Sequence, residues 1–282
     1  MKADFEQHRD VFGPLMGLQL HAWASCVYAQ VRFLDAAGLR PTSHTIGDLP
    51  QERQFRGGRA RFVGTMTEAR MLDELPDNYE RMRFFDSVAA EYRSAVEPFT
   101  APIFESVLRY LAPRLGKHTR VLDVGCGPGR EAATLAGRLP EGEVVACDLS
   151  TNMVHEAWKA VKEQQLRSRT AVFQLAAEDL PEEFTACFDV VVCNLAFQYF
   201  TDGEAVARSF RRVLAADGMA FVTDPGPDWF ISMATPFASQ ANPAFIRYRN
   251  GEEFRTLFLD AGFTSVCWVE ILPGMGLTIA SV

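Results

Sequence analysis

The stretch V-L-D-V-G-C-G-P-G-R at residues 121–130 sets the tightest limit on how this chain can fold. An apolar run that suits a strand ends on three glycines at alternate positions, Gly125, Gly127 and Gly129, and R-E-A-A-T-L-A continues with the look of a helix. Glycine lets the main chain adopt dihedrals that other residues avoid, and it lets a ligand approach closely. The helix beyond the corner offers N–H groups with no partner of their own. A strand, a corner without side chains and a helix predict a βα unit with a ligand at its tip.

The rest of the chain fits such a unit repeated. From Arg120 onward, short apolar runs alternate with helix-like stretches, as in a parallel sheet wrapped by helices. Expected strands are Arg120–Val124, Val144–Asp148, Ala171–Leu175, Val190–Asn194, Met219–Thr223, Ser265–Ile271 and Leu277–Ser281. Expected helices are Arg130–Leu139, Asn152–Leu166, Glu204–Leu214 and Gly251–Ala261. The run V-V-V-C-N is continuously apolar, which suits a parallel strand covered on both faces. The last two strands flank L-P-G-M-G, a turn signal that predicts an antiparallel hairpin at the sheet edge. Residues 1–115 read as helices at Pro14–Ala37, Thr67–Leu75, Tyr79–Val96 and Ala101–Ala112. The predicted class is α/β: a Rossmann-like, seven-stranded, mostly parallel sheet with helices on both faces. Residues 1–79 form a helical N-terminal extension and residues 80–282 the main domain. A long aromatic connection at 225–250 reads as a structured lid.

The chemistry of the corner is narrower than its shape. A dinucleotide site wants G-x-G-x-x-G with a pyrophosphate on the helix N-terminus, whereas here the third glycine comes one position early. Asp123, two residues before the first glycine, would repel a phosphate and suits a ligand carrying an ammonium group. About twenty residues on, V-V-A-C-D-L-S ends a strand on Asp148, a carboxylate able to accept two hydrogen bonds from a ribose diol. Asp148 alone would serve a nicotinamide cofactor equally well. The combination of acid, small-residue turn and second acid favours a nucleoside ligand without phosphate.

In these segments the chain resembles the class I S-adenosylmethionine-dependent methyltransferases. V-L-D-V-G-C-G-P-G is similar to their first motif, A-C-D-L-S-T-N-M to the second-strand acid and the start of the next helix, and F-Q-L-A-A-E-D-L-P to the segment flanking adenine. F-D-V-V-V-C-N-L-A-F-Q-Y-F resembles the fourth strand and its exit, F-R-R-V-L-A-A-D-G-M-A-F-V-T the approach to the fifth, and F-L-D-A-G-F the helix end before the sixth. Upstream, F-F-D-S-V-A-A-E-Y resembles the helix that covers the cofactor. The likeness spans about residues 80–282 and is nearest to the small-molecule branch, which includes ubiquinone/menaquinone-type and natural-product enzymes.

The resemblance implies S-adenosyl-L-methionine as cofactor and S-adenosyl-L-homocysteine as product. It implies that Asp123, Gly125, Cys126, Gly127 and Gly129 cradle the methionine half, with Asp123 acting on the amino group directly or through water. Asp148 holds the ribose, Leu149 and Met153 pack on adenine, Ala177 and Glu178 flank its rim, and Asn194 and Leu195 lie beneath the sulfonium. One position departs from the family: Ala176 stands where an Asp often accepts from the adenine amino group.

Methyl transfer from a sulfonium is an in-line displacement, so the protein mainly aligns and dries the reactants. The acceptor is therefore an O, N or C atom that the sequence does not distinguish. Aromatic residues around the exit of strand four and in the 225–250 insert suggest an apolar small-molecule pocket walled by Phe197, Gln198, Tyr199, Phe200, Trp229, Phe230 and Tyr248. If a base is required, the candidates are Tyr199, Tyr92 and His21. The alternative is a protein of the same fold that binds the cofactor without catalysis, or uses the sulfonium for a reaction other than methylation.

The formal net charge of −8 argues against a nucleic-acid partner. The apolar stretch around 15–39 is interrupted by polar residues, which argues against a membrane partner. Six cysteines without a C-x-x-C pair or zinc-ligand spacing suggest reduced thiols, no metal and a cytoplasmic location. Residues 1–79 are expected to serve as a lid, as a homodimer interface, or as both.

Overall fold

The computed structural model describes residues 76–282. The helices expected at Pro14–Ala37 and Thr67–Leu75, and His21, lie outside the described residues. Two helices come first, α1 (Pro76–Ala95) and α2 (Glu97–Leu111). Then β1 (Arg120–Val124), α3 (Arg130–Arg138), β2 (Glu143–Asp148), α4 (Thr151–Glu163), β3 (Thr170–Gln174), β4 (Phe188–Asn194) and α5 (Gly203–Val213) alternate. The chain finishes with β5 (Leu214–Pro225), α6 (Asp228–Ala241), α7 (Gly251–Asp260), β6 (Ser265–Leu272) and β7 (Met275–Ser281).

Seven strands form one sheet in the order β3-β2-β1-β4-β5-β7-β6. The first five are parallel to one another. β7 runs antiparallel to both β5 and β6. The expected hairpin is present, but its second strand inserts beside β5 and its first strand becomes the edge. Burial gives the reason: M-G-L-T-I-A-S is almost wholly buried, as an interior strand must be, while S-V-C-W-V-E-I-L is partly exposed along its length.

Strand alternation divides the core into two layers. Val121 of β1 packs with Phe104, Leu111 and Leu135 on the α2–α3–α4 side. Leu122 and Val124 pack on the opposite face with Phe197, Phe210, Phe254 and Phe258. These aromatics are completely or almost completely buried, which stabilises the fold by roughly 1.5–3 kcal/mol for each such side chain. Asp123 shares the parity of Val121 and so points toward α2 and α3.

Two helices depart from the sequence reading. α2 begins at Glu97, four residues earlier than expected, because Pro98 falls in its first turn, where a missing N–H costs nothing. The 225–250 connection contains α6, a 14-residue helix that carries Pro236 inside it. Phe230, Ala234 and Ala238 of α6 pack with Ile103, Tyr248 and Met275 in a third, smaller cluster.

Candidate functional site

The order of the sheet reverses between β1 and β4, and a crevice opens at the carboxyl ends of strands flanking such a reversal. Here it is a cleft of about 720 Å³ of empty space, mouth included.

The three glycines of the corner do different work. Gly127 has φ +52° and borders the cleft, and a Cβ there would meet nothing within 4 Å. It is where main chain faces open space. Gly125 also borders the cleft, but a Cβ on it would come within 2.4 Å of the Ala196 Cβ. Gly129, with φ +84°, lies outside the lining; its Cβ would strike the backbone of Ala157 at 2.7 Å, so it lets α3 and α4 approach each other. The Gly125 and Cys126 N–H groups both donate to the Cys147 carbonyl, at 2.8 and 3.0 Å, tying the corner to the end of β2.

Asp148 stands at the rim with its carboxylate already oriented. Oδ2 accepts from the Gly127 N–H at 2.9 Å and Oδ1 from the Ser150 N–H at 2.9 Å. Burial pushes its pKa up to about 6, against the pull of those N–H groups and with the help of nearby Asp86. Ser150 caps α4, its Oγ accepting from the Met153 N–H at 3.1 Å.

Of the residues expected to hold a cofactor, Gly125, Gly127, Asp148, Leu149, Met153, Ala177, Glu178, Asn194 and Leu195 line this one cleft. Asp123, Cys126 and Gly129 do not. Asp123 is 1% exposed and stands behind the wall, with Oδ2 lacking a hydrogen-bond partner. Burial, followed by the charges of Glu131 and Asp148, holds its carboxyl well above the usual range. Cys126 is buried, and burial raises its thiol pKa further.

At the exit of β4, Asn194 donates to the Glu131 carboxylate at 3.4 Å. Leu195 takes the left-handed conformation, φ +56°, which is uncommon for a residue with a branched side chain. Ala176, where the family often has Asp, lies in the lining. The Glu178 carboxylate accepts from the N–H and hydroxyl of Thr201, both at 3.2 Å, and so bridges the cleft rim to the segment after β4.

The expected acceptor wall divides in two. Tyr199 and Phe200 line the cleft, but Phe197, Gln198, Trp229, Phe230 and Tyr248 do not. Phe197 is fully buried among Phe210, Phe254 and Phe258, with the Arg249 guanidinium 5.2 Å from its ring centre. Gln198 is buried and its main-chain carbonyl accepts from the Ile246 and Arg247 N–H groups. Phe230 and Tyr248 belong to the third cluster, and Trp229 is an exposed neighbour of Phe230. α6 turns this apolar side toward α2, β7 and Leu195, behind the cleft wall. Tyr92 lines the cleft, as a candidate base must; His21 lies outside the described residues.

Sequence reasoning missed Arg81, Phe85 and Leu175 in the lining, and Glu131 and Asp86 just behind it. The signal for the first two was available. Arg81, Phe85 and Tyr92 fall at i, i+4 and i+11, one stripe of a helix, and that stripe of α1 forms part of the cleft wall.

With this geometry in view, likenesses to known proteins can be read. Residues 121–218 match the methyltransferase domain family. The malonyl-[acyl-carrier protein] O-methyltransferase of Legionella pneumophila is 30% identical over 167 residues, covering 57% of this chain and 55% of that protein. Nocamycin O-methyltransferase of Saccharothrix syringae is 33% identical over 144 residues, covering 51% of this chain and 50% of that one. The chain thus spans about half the length of the curated relatives it matches. The solved DhpI–SAH complex shares the fold at TM-score 0.56 and 20% identity, over 72% of this chain and 95% of that one. The motifs, the sheet order and these likenesses agree on a methyltransferase domain matched at residues 121–218.

Proposed function

We propose that the protein transfers a methyl group from S-adenosylmethionine to a largely apolar small-molecule acceptor at an O, N or C atom, releasing S-adenosylhomocysteine. The names of the relatives favour oxygen among the three. The observation that carries the reading is the convergence of Gly125, Gly127, Asp148, Asn194 and Leu195 on one cleft at the carboxyl edge of the sheet.

The residues fit the donor. Gly127 leaves its main chain open to a ligand. Asp148 keeps lone pairs available for a sugar diol after accepting from two N–H groups. Asn194 Oδ1, in the lining, and Asp123 Oδ2, behind the wall, are buried acceptors without a hydrogen-bond partner, and a ligand's ammonium group could be met by the first directly and by the second through water. Leu149, Met153, Leu175 and Ala177 give an apolar slot for adenine.

S-adenosylmethionine, when bound, supplies an already activated methyl group. The chain's share is therefore positioning and exclusion of water. Leu195, Phe85, Tyr199 and Phe200 wall the acceptor side, the Phe85 and Tyr199 rings meeting edge to face at 5.0 Å. Aromatic faces also tolerate the positive charge of the donor. If the acceptor must lose a proton, Tyr199 and Tyr92 are the candidates to take it. We read residues 1–79 as a further cover or a dimer contact, and 225–250 as a support for the acceptor wall. Four buried cysteines suit a reduced, cytoplasmic setting.

Titration calorimetry with S-adenosylhomocysteine tests the donor site, with an expected Kd on the order of micromolar, about −8 kcal/mol. Transfer of labelled methyl from S-adenosylmethionine to a panel of apolar alcohols, acids and amines tests the activity. Binding with no demethylated product from any acceptor would favour a use of the sulfonium other than methylation. No binding would remove the reading altogether. Light scattering on the full chain distinguishes a cover from a dimer contact.

A further inference from the structure

α1 carries Arg81, Phe85 and Tyr92 into the cleft wall, so its position decides whether the cleft is closed. Several of its polar ties to the rest of the domain are long. Arg81 reaches the Thr201 hydroxyl at 3.3 Å, Arg93 reaches the Pro128 carbonyl at 3.5 Å and Glu163 at 3.7 Å, and Gln174 reaches the Met82 sulfur at 3.7 Å. Asp86 is different. Its Oδ1 accepts from the Ser150 hydroxyl at 2.5 Å and from the Asn152 N–H at 2.9 Å, while its backbone carbonyl accepts from the Asn152 side chain at 2.9 Å.

These three bonds converge on the first residues of α4, where free N–H groups and the helix dipole favour a carboxylate. Hydrogen bonds to an ionised acceptor are the strong ones. Ser150 is the hinge of the arrangement, since it is 1% exposed and serves three neighbours. Its N–H donates to Asp148, its Oγ accepts from Met153, and its hydroxyl proton goes to Asp86. One continuous chain of hydrogen bonds therefore joins the acid at the cleft rim to the helix that covers the cleft.

We propose that Asp86 is a positioning residue that clasps the cover helix α1 to the N-terminus of α4, and that bound cofactor leaves when this clasp opens. The inference rests on the reading of the cleft as the S-adenosylmethionine site. Asp86 touches no reacting atom; it acts through Ser150 and Asn152 on one side and through Phe85 and Tyr92 on the other.

The test is the dissociation rate of S-adenosylhomocysteine from the full chain, measured by stopped-flow displacement. Asp86→Ala should release the ligand roughly tenfold faster, as expected when charge-assisted bonds are lost. Asp86→Asn keeps a side-chain oxygen that can accept from Ser150 and Asn152 but loses the charge, and should release the ligand at a rate between those of the parent and Asp86→Ala. Amide exchange of α1 in the unliganded protein should quicken in Asp86→Ala and less so in Asp86→Asn. If the parent binds and both variants release at its rate, or both release equally fast, the clasp is wrong. If the parent does not bind, the cofactor reading is wrong, and exchange in α1 decides the clasp alone: no change in Asp86→Ala would overturn it.

Discussion

The two walls of the cleft are built on different principles. The wall from β1 and β2 works through backbone: Gly125 and Gly127 present main chain, and Asp148 is aimed by two N–H groups. The wall from α1 and the exit of β4 works through side chains, namely Phe85, Tyr92, Leu195, Tyr199 and Phe200. The first kind tolerates few residues at each position and writes itself into the sequence as a motif. The second kind asks only for apolar bulk in the right place, and many sequences meet that demand.

The sharpest way to break this contrast is Gly127→Val. A side chain there enters the cleft and also strains a left-handed backbone by about 1–2 kcal/mol. Cofactor affinity should fall by at least about a hundredfold (roughly 2.7 kcal/mol), with the fold retained by circular dichroism. Gly129→Val should do the reverse, lowering the melting temperature first, because its Cβ meets the Ala157 backbone and not a ligand. If the two variants behave alike, the corner does not divide as described.

Phe197→Ala should cost about 3–5 kcal/mol of stability, the usual penalty for emptying a buried aromatic site. Among molecules that remain folded, the Michaelis constant for the acceptor should barely change. A large rise in that constant would return Phe197 to the acceptor wall. Asp148→Ala should weaken cofactor binding by about 1.5–3 kcal/mol through lost charge-assisted hydrogen bonds. Unchanged calorimetric affinity would mean that the rim acid does not touch the ligand.

Acid should mimic that substitution gradually. The free Asp148 carboxyl titrates near about 6 and the bound form, holding a diol, must titrate lower. Affinity should therefore be full above pH 6 and fall below it by up to about tenfold per unit, until the bound group also takes a proton. A flat profile between pH 7 and pH 5 would exclude Asp148 from binding. The smallest expected effect is a gain. Ala176→Asp restores an acceptor in the cleft lining, and should tighten cofactor binding by about 0.5–1.5 kcal/mol if adenine lies there.

The same contrast explains what could be read in advance. β1 was legible residue for residue because a glycine corner ends it, and α7 begins at Gly251 as expected, where Asn250 and Glu253 form a capping box. α6 was hidden by Pro225, Pro227 and Pro236. The last of these deprives only the exposed Ser232 of a helical partner, a carbonyl that water can reach. Phe197, Phe230 and Tyr248 were read as pocket walls because a sequence shows where aromatics cluster but not which face of the sheet receives them. Asp86 and Glu131 were missed for a related reason: each acts on a neighbour far away in the chain, 64 and 63 positions from its partner.

Leu195 shows what the cleft demands of its own framework. A glycine would occupy that left-handed position with less torsional penalty, yet a branched side chain sits there, packed against the cluster of Phe230 and Met275 and forming part of the cleft wall. On the proposed function, position 195 is thus a place where torsional ease is given up for a side chain in the wall.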